Sequence, residues 1–204
     1  MTQSVRHLVM LSLLVVFAGP VASMAGPPTD QIKATVDNAL GLLRESRQNA
    51  VATQDRRDQL RQILFTRFDF SEMARRALGA HWRRRTATEQ QEFVQLFTEL
   101  LERQYAGIIE SYTDEKIVYV SERIDGAFAE VNSKIFTAKG QELSINYKAQ
   151  LIGQDWKVYD VIAEEISLVN NFRSQFNRVI SSSSYDELIR RLKERQADVI
   201  PVKN

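Results

Sequence analysis

The strongest constraint on this chain is where its hydrophobic period changes. From residue 26 to 112 apolar side chains recur three and four positions apart, from 115 to 162 the pattern favours strands, and from 167 to 197 the helical spacing returns. That order predicts an α+β domain. The run Leu143 to Leu151 alternates, with Leu143, Ile145, Tyr147, Ala149 and Leu151 on one face and Glu142, Ser144, Asn146, Lys148 and Gln150 on the other, so this strand is wet on one side. Gly126, Lys139-Gly140 and Gly153-Gln154-Asp155 punctuate the strands at hairpin distances. A four-stranded antiparallel meander over 116–124, 127–137, 141–152 and 156–162 follows. Its twisted sheet is expected to pack against N- and C-terminal helices in an NTF2-like or cystatin-like cone.

Amphipathic spacing marks helices from Thr29 to Gln48 and from Arg56 to Phe65. Capping-box pairs at Asp69 and Glu72, Thr88 and Gln91, and Ser184 and Glu187 give three further helix starts a local chemical cause. The longest helix is expected over Glu89 to Tyr112, where Phe93, Leu96, Phe97, Leu100, Leu101, Ile108 and Ile109 form a stripe too broad for a coiled-coil seam and suited to lying on a sheet. Ser181 to Ser184 reads as a loop between the last two helices. No internal repeat or long linker divides residues 26–204, which are expected to form one domain.

Residues 1–25 have the three parts of a secretory signal: basic Arg6, an apolar run from Leu8 to Ala18, and small Ser23 and Ala25 spaced for cleavage. An apolar run of that length is too short to cross a bilayer, and no later segment is apolar enough. The expected product is a released protein of a bacterial periplasm. The chain has no cysteine, so disulfides, thiolate metal sites and a cysteine nucleophile are excluded. Beyond residue 25 it carries 26 basic and 26 acidic residues, a balance that disfavours nucleic acid as a partner.

Catalytic chemistry has little to work with. His81 is the single histidine after residue 25, and GxSxG, HExxH, GxxxxGK and GxGxxG patterns are all missing. Among the carboxylates, Asp69 reads as a helix cap, and Glu164 with Glu165 as acids at a strand-to-helix junction. Asp160, inside the apolar strand Val158 to Ile162, is expected either on the wet face or paired with a basic residue. No enzyme, metal or cofactor is expected. The densest charge run, Arg83-Arg84-Arg85, is solvated surface or a contact for anionic headgroups or an acidic partner.

Phe68-Asp69-Phe70, Ala77-Leu78-Gly79, Trp82, Phe93, Phe97, Leu100, Tyr105 and Tyr112 resemble the helical signature of the MlaC family. The likeness continues through Trp156-Lys157-Val158-Tyr159-Asp160-Val161, Ser167-Leu168-Val169, Asn171 to Phe176, and Leu188 to Leu192, so that it covers about 65 to 193. At Glu165 the chain departs from the family's glycine, and a left-handed backbone there would strain a non-glycine residue. The resemblance implies a periplasmic phospholipid carrier working between an outer-membrane lipoprotein complex and an inner-membrane ABC transporter complex, with no cofactor.

A lipid carrier needs an apolar slot. The candidates for its lining are Phe93, Phe97, Leu101, Ile108, Val118, Val120, Leu143, Ile145, Tyr147, Val158, Val169 and Phe172, with Trp82 and Tyr105 nearer the mouth and Arg83, Arg84 and Arg85 at headgroup or partner. The same residues would serve a closed core, as in a periplasmic protein-binding or chaperone-like module, and the sequence leaves both open.

Overall fold

A computed structural model describes residues 27–48, 53–111, 115–137 and 140–194; the expected signal segment lies outside them. The period-two region folds as an antiparallel meander of β1 (Lys116–Asp125), β2 (Phe128–Phe136), β3 (Glu142–Ile152) and β4 (Asp155–Ala163), each within two residues of its expected limits. A fifth strand, β5 (Ile166–Ser167), extends the sheet beyond β4, so the order is β1-β2-β3-β4-β5 rather than four strands. The cause is the turn at Glu164 and Glu165, which reverses the chain with φ of 48° and 67° before any helix begins. A tight hairpin of this kind needs positive φ at its central residues, which is why glycine or asparagine is usual there. Glu164 is tied to β3, its backbone N–H donating to the Ser144 carbonyl (3.0 Å) and its carboxylate accepting from the Ser144 N–H (2.5 Å).

Two helices lie on one face of the sheet. α1 (Pro27–Gln48) starts where Glu122 of β1 accepts from both the backbone N–H (2.7 Å) and the hydroxyl (2.6 Å) of Thr29. Its Ile32 is buried with Ala129, Val131, Tyr147, Ala149, Trp156 and Val158 of the sheet. α2 (Thr53–Arg67) ends in a clamp: the Arg67 guanidinium donates to Gln31 Oε1 (2.5 Å) and to the Trp156 carbonyl (2.9 Å), while the same Gln31 oxygen accepts from the Trp156 N–H (2.9 Å). Burial pulls the Arg67 pKa below its ordinary value, and Asp155 opposes that shift. Just beyond, Phe68 bridges Val158 as a parallel partner, and the Asp69 N–H donates to the Val158 carbonyl (2.9 Å).

The remaining helices form a second layer. α3 (Phe70–Leu78) starts at the Asp69 cap, whose carboxylate accepts from the Glu72 N–H (2.8 Å), and ends at Gly79 with φ of 59°. A short 3-10 turn (Gly79–Arg84) leads into α4 (Ala87–Ser111). α5 (Leu168–Ser182) and α6 (Tyr185–Lys193) follow the sheet, the latter capped by Ser184 on the Glu187 N–H (3.1 Å) as its spacing predicts. The capping box of α4 is Thr86 with Glu89, not Thr88 with Gln91: the Thr86 N–H donates to Glu89 Oε2 (2.7 Å), and the Glu89 N–H to Thr86 Oγ1 (3.3 Å). The helix therefore begins a turn's fraction earlier than expected.

α4 packs chiefly on α3 and α6, and through its aromatic rings on α5, rather than lying across the sheet. The part of its stripe from Phe93 to Leu101 is buried against other helices. Phe93 and Phe97 meet Phe176 and Phe172 edge-to-face at 5.7 and 5.2 Å between centroids.

Asp160 joins the two layers. It is buried, neither on a wet face nor paired with a basic residue as expected, and its carboxylate accepts from the Val169 N–H (3.1 Å) and the Ser167 hydroxyl (2.6 Å). It thus satisfies an orphan donor of the first turn of α5 and holds Ser167, whose own oxygen caps Asn170 (3.0 Å).

Two substitutions test this account by urea unfolding. Asp160→Ala, which orphans the Val169 donor, is expected to cost about 2–3 kcal/mol at unchanged m-value. Glu165→Gly is expected to stabilise the chain by about 0.5–1 kcal/mol, because left-handed backbone costs a non-glycine residue more than glycine loses in entropy.

Candidate functional site

Strand register decides which side chains share the face under α1. Three rows run across it: Ile117 opposite Ile135 opposite Leu143; Tyr119 opposite Ser133 opposite Ile145; Val131 opposite Tyr147 opposite Val161. Where Ile32 sits, this face is closed. Towards Ile117, Leu143, Ile145 and Val161 it is half-buried, although Ile135 in its middle is fully covered. These rows carry no charge. Glu122, on the same face of β1, is occupied by the start of α1.

Three hydroxyls interrupt the apolar surface, those of Tyr119, Ser133 and Tyr147. Ser133 donates to the Ile145 carbonyl (2.6 Å) and is satisfied. The Tyr119 hydroxyl is out of solvent and has no hydrogen-bond partner among the described residues. Burial pushes its pKa well above the ordinary phenol value, with Tyr147 and Asp37 adding to the effect.

The expected lining residues divide between this face and other places. Leu143, Ile145, Tyr147 and Val158 lie on it together. Val118 does not: it sits on the opposite face, in line with Lys134 and Ser144. Val120 is the extra residue of a β-bulge between Tyr119 and Ser121 and is 55% exposed. Phe93, Phe97, Leu101, Val169 and Phe172 are buried in the helical layer with Phe176 and Leu188 rather than on the face under α1, the phenylalanines packed ring against ring. Trp82 and Tyr105 are half-buried against that layer, and burial raises the Tyr105 pKa. The Ile108 side chain lies outside the described residues.

Sequence reasoning missed Ile117, Tyr119, Val131, Ile135 and Val161, and Ile32 and Val36 on the helix above them. In β1 residues 117 to 120 are all apolar or aromatic, so alternation could not choose a phase; the bulge chose it.

Of the three consecutive arginines, Arg83 and Arg84 are exposed, whereas Arg85 stacks over the Tyr185 ring (4.4 Å to its centroid) and pairs with Glu89 (3.2 Å). Other arginines nearby are also spoken for: Arg75 and Arg76 hold Glu72, and Arg190 with Arg191 holds the Glu187 carboxyl down at about 2. His81 Nε2 lies 3.0 Å from Asn177 Oδ1. Among the described residues no group of three or more acidic, histidine or cysteine side chains is placed to hold a metal. Asp69, Glu72, Asp160 and Glu164 each have a structural partner already described.

A separate open cavity of about 330 Å³ lies where α2 meets α3, lined by Phe65, Phe68, Phe70, Val94, Thr98 and Ile152 among others. Its rings contact each other, Phe65 and Phe70 at 4.6 Å between centroids.

The family described as MlaC protein matches residues 33–194 of the chain. A curated relative, the intermembrane phospholipid transport system binding protein MlaC of Haemophilus influenzae, is 25% identical over 130 residues, and the match spans 61% of this chain and 61% of that protein's length. The toluene tolerance protein ttg2D of Pseudomonas putida is 26% identical over 178 residues, covering 85% of this chain and 83% of the relative. Among solved structures, a phospholipid-binding protein from Ralstonia solanacearum in complex with a phospholipid superposes with a TM-score of 0.76 at 26% identity, over 84% of this chain and 98% of that one.

The helical layer's packing makes one expectation quantitative. Phe97 is fully buried among three other phenylalanines, so Phe97→Ala is expected to cost about 3–5 kcal/mol in chemical denaturation.

Proposed function

We propose that this chain, which belongs to the MlaC family, is a periplasmic phospholipid carrier that shelters acyl chains against the sheet face beneath α1. The observation that carries the proposal is the superposition, over 84% of the chain, on a protein solved with a phospholipid bound. The physical need is large: a diacyl lipid exposes on the order of thirty methylenes, each costing about 0.8 kcal/mol in water. A carrier has to replace the bilayer for those methylenes while leaving the charged headgroup wet.

The sheet face under α1 suits that task. Its rows offer aliphatic and aromatic groups with no charge, and it passes from closed at Ile32 to half-buried at Leu143 and Ile145, so a chain end would enter the covered part and the headgroup would stay at the accessible part. Exposed Arg83 and Arg84 are available to anionic headgroups or to acidic surfaces of partner complexes. In this reading the carrier moves lipid between an outer-membrane lipoprotein complex and an inner-membrane ABC transporter complex, and it performs no covalent chemistry. No helix among the described residues is long and apolar enough to cross a membrane.

Extraction of the purified protein followed by lipid mass spectrometry is expected to recover phospholipid in near-stoichiometric amount. Repeated recovery of none, with the protein folded, would overturn the proposal in favour of a protein-binding module with a closed interior. Ile145→Glu places a charge on the inner face and is expected to lower lipid occupancy by about tenfold or more. Val118→Glu, two strands away and on the opposite face, is expected to leave occupancy unchanged.

A further inference from the structure

Tyr119 presents a problem of hydrogen bonding that the protein alone does not solve. Its hydroxyl has been taken out of water, so the donor and acceptor capacity it had there is uncompensated, and no described residue supplies a partner. The nearest polar neighbours make their interactions elsewhere, and none bonds to it. Ser133, directly opposite on β2, donates to the Ile145 carbonyl. Asp37 on α1 is ion-paired with Lys33. Tyr147, in the adjacent row, has an interaction of its own. A phenylalanine would fill the same place without the penalty, so the oxygen needs a reason.

We infer that the Tyr119 hydroxyl donates a hydrogen bond to an acyl-ester carbonyl of the bound lipid, and that the protein thereby selects ester-linked diacyl lipids over their ether-linked counterparts. The inference rests on the carrier reading above. The lipid's own chemistry narrows the choice of acceptor. Hydrocarbon tails offer none, and the phosphate, being charged, stays in water because dry burial would cost it heavily. The ester carbonyls lie between these two regions, at the boundary of dry and wet, as the Tyr119 row lies between the covered pair Val131 and Tyr147 and the half-buried Ile117 and Leu143. A phenol holds its proton throughout the physiological range, and burial reinforces this, so it acts as a donor. An ether lipid of the same length would leave that donor unpaired and should be rejected accordingly.

The test reloads the delipidated full chain from an equal mixture of diester and diether phosphatidylethanolamine with matched chains and quantifies both by mass spectrometry. The native protein is expected to favour the diester by about tenfold, the worth of one well-made hydrogen bond. Tyr119→Phe is expected to take up as much total lipid with the preference gone, and in its lipid-free form to melt roughly 2–4 °C higher for losing an orphaned hydroxyl. Equal uptake of the two lipids by the native protein, or a preference that survives Tyr119→Phe, overturns the inference while leaving the carrier reading intact. Failure of the native protein to load either lipid overturns both.

Discussion

Strand β4 must satisfy two layers at once, and a bulge lets it do so. Between Lys148 and Ala149 the register with β3 slips by one residue at Tyr159, so Val158 faces the α1 side while Tyr159 and Asp160 serve the helices behind. On the first side Trp156 and Val158 are buried with Ile32, and the Arg67–Gln31 clamp fastens both N-terminal helices to the strand's backbone. On the second side the Arg76 guanidinium lies 3.9 Å from the Tyr159 ring centroid, and Asp160 holds the start of α5. A strand with uninterrupted alternation would turn one of these sets to the wrong face, since a one-residue shift inverts every side chain beyond it.

That arrangement separates two kinds of hydrophobic surface. The helical layer is filled: Phe93, Phe97, Phe172 and Phe176 interlock at ring separations of 5.2–6.0 Å, and the whole set is nearly without exposure. Such packing resists change of volume and suits a rigid scaffold. The sheet face under α1 is covered over part of its extent only, and α1 is secured near its beginning by Glu122 and Gln31. The helical layer is filled at its aromatic centre, whereas the face under α1 stays half-buried at Leu143, Ile145 and Val161.

The turn at Glu164 and Glu165 belongs to the same design. It brings the chain back along β4 for two residues, which places Ser167 within reach of Asp160 and so sets where α5 begins. Backbone strain at Glu165 is tolerated because the strand pairing and the Asp160 cap on either side determine the path.

Much of this was legible locally. The α+β order, the four long strands and the caps at Asp69 and Ser184 all depend on interactions within a few residues, namely period and capping hydrogen bonds, while the left-handed backbone at Glu165 was flagged only by the departure from the resembled family's glycine. The resemblance in 65–193 is likewise a matter of short motifs in order, and the family match over 33–194 agrees with it. Other features were decided only in three dimensions. Which residues of 117–120 face inward depended on a bulge against β2; whether the α4 stripe met the sheet or other helices depended on competition from Phe172 and Phe176; Asp160 found its partner at the end of a hairpin no pattern announced. An amphipathic stripe or a lone carboxylate states what it needs to bury or bond, but the identity of the surface that answers is set by which elements reach it first in space.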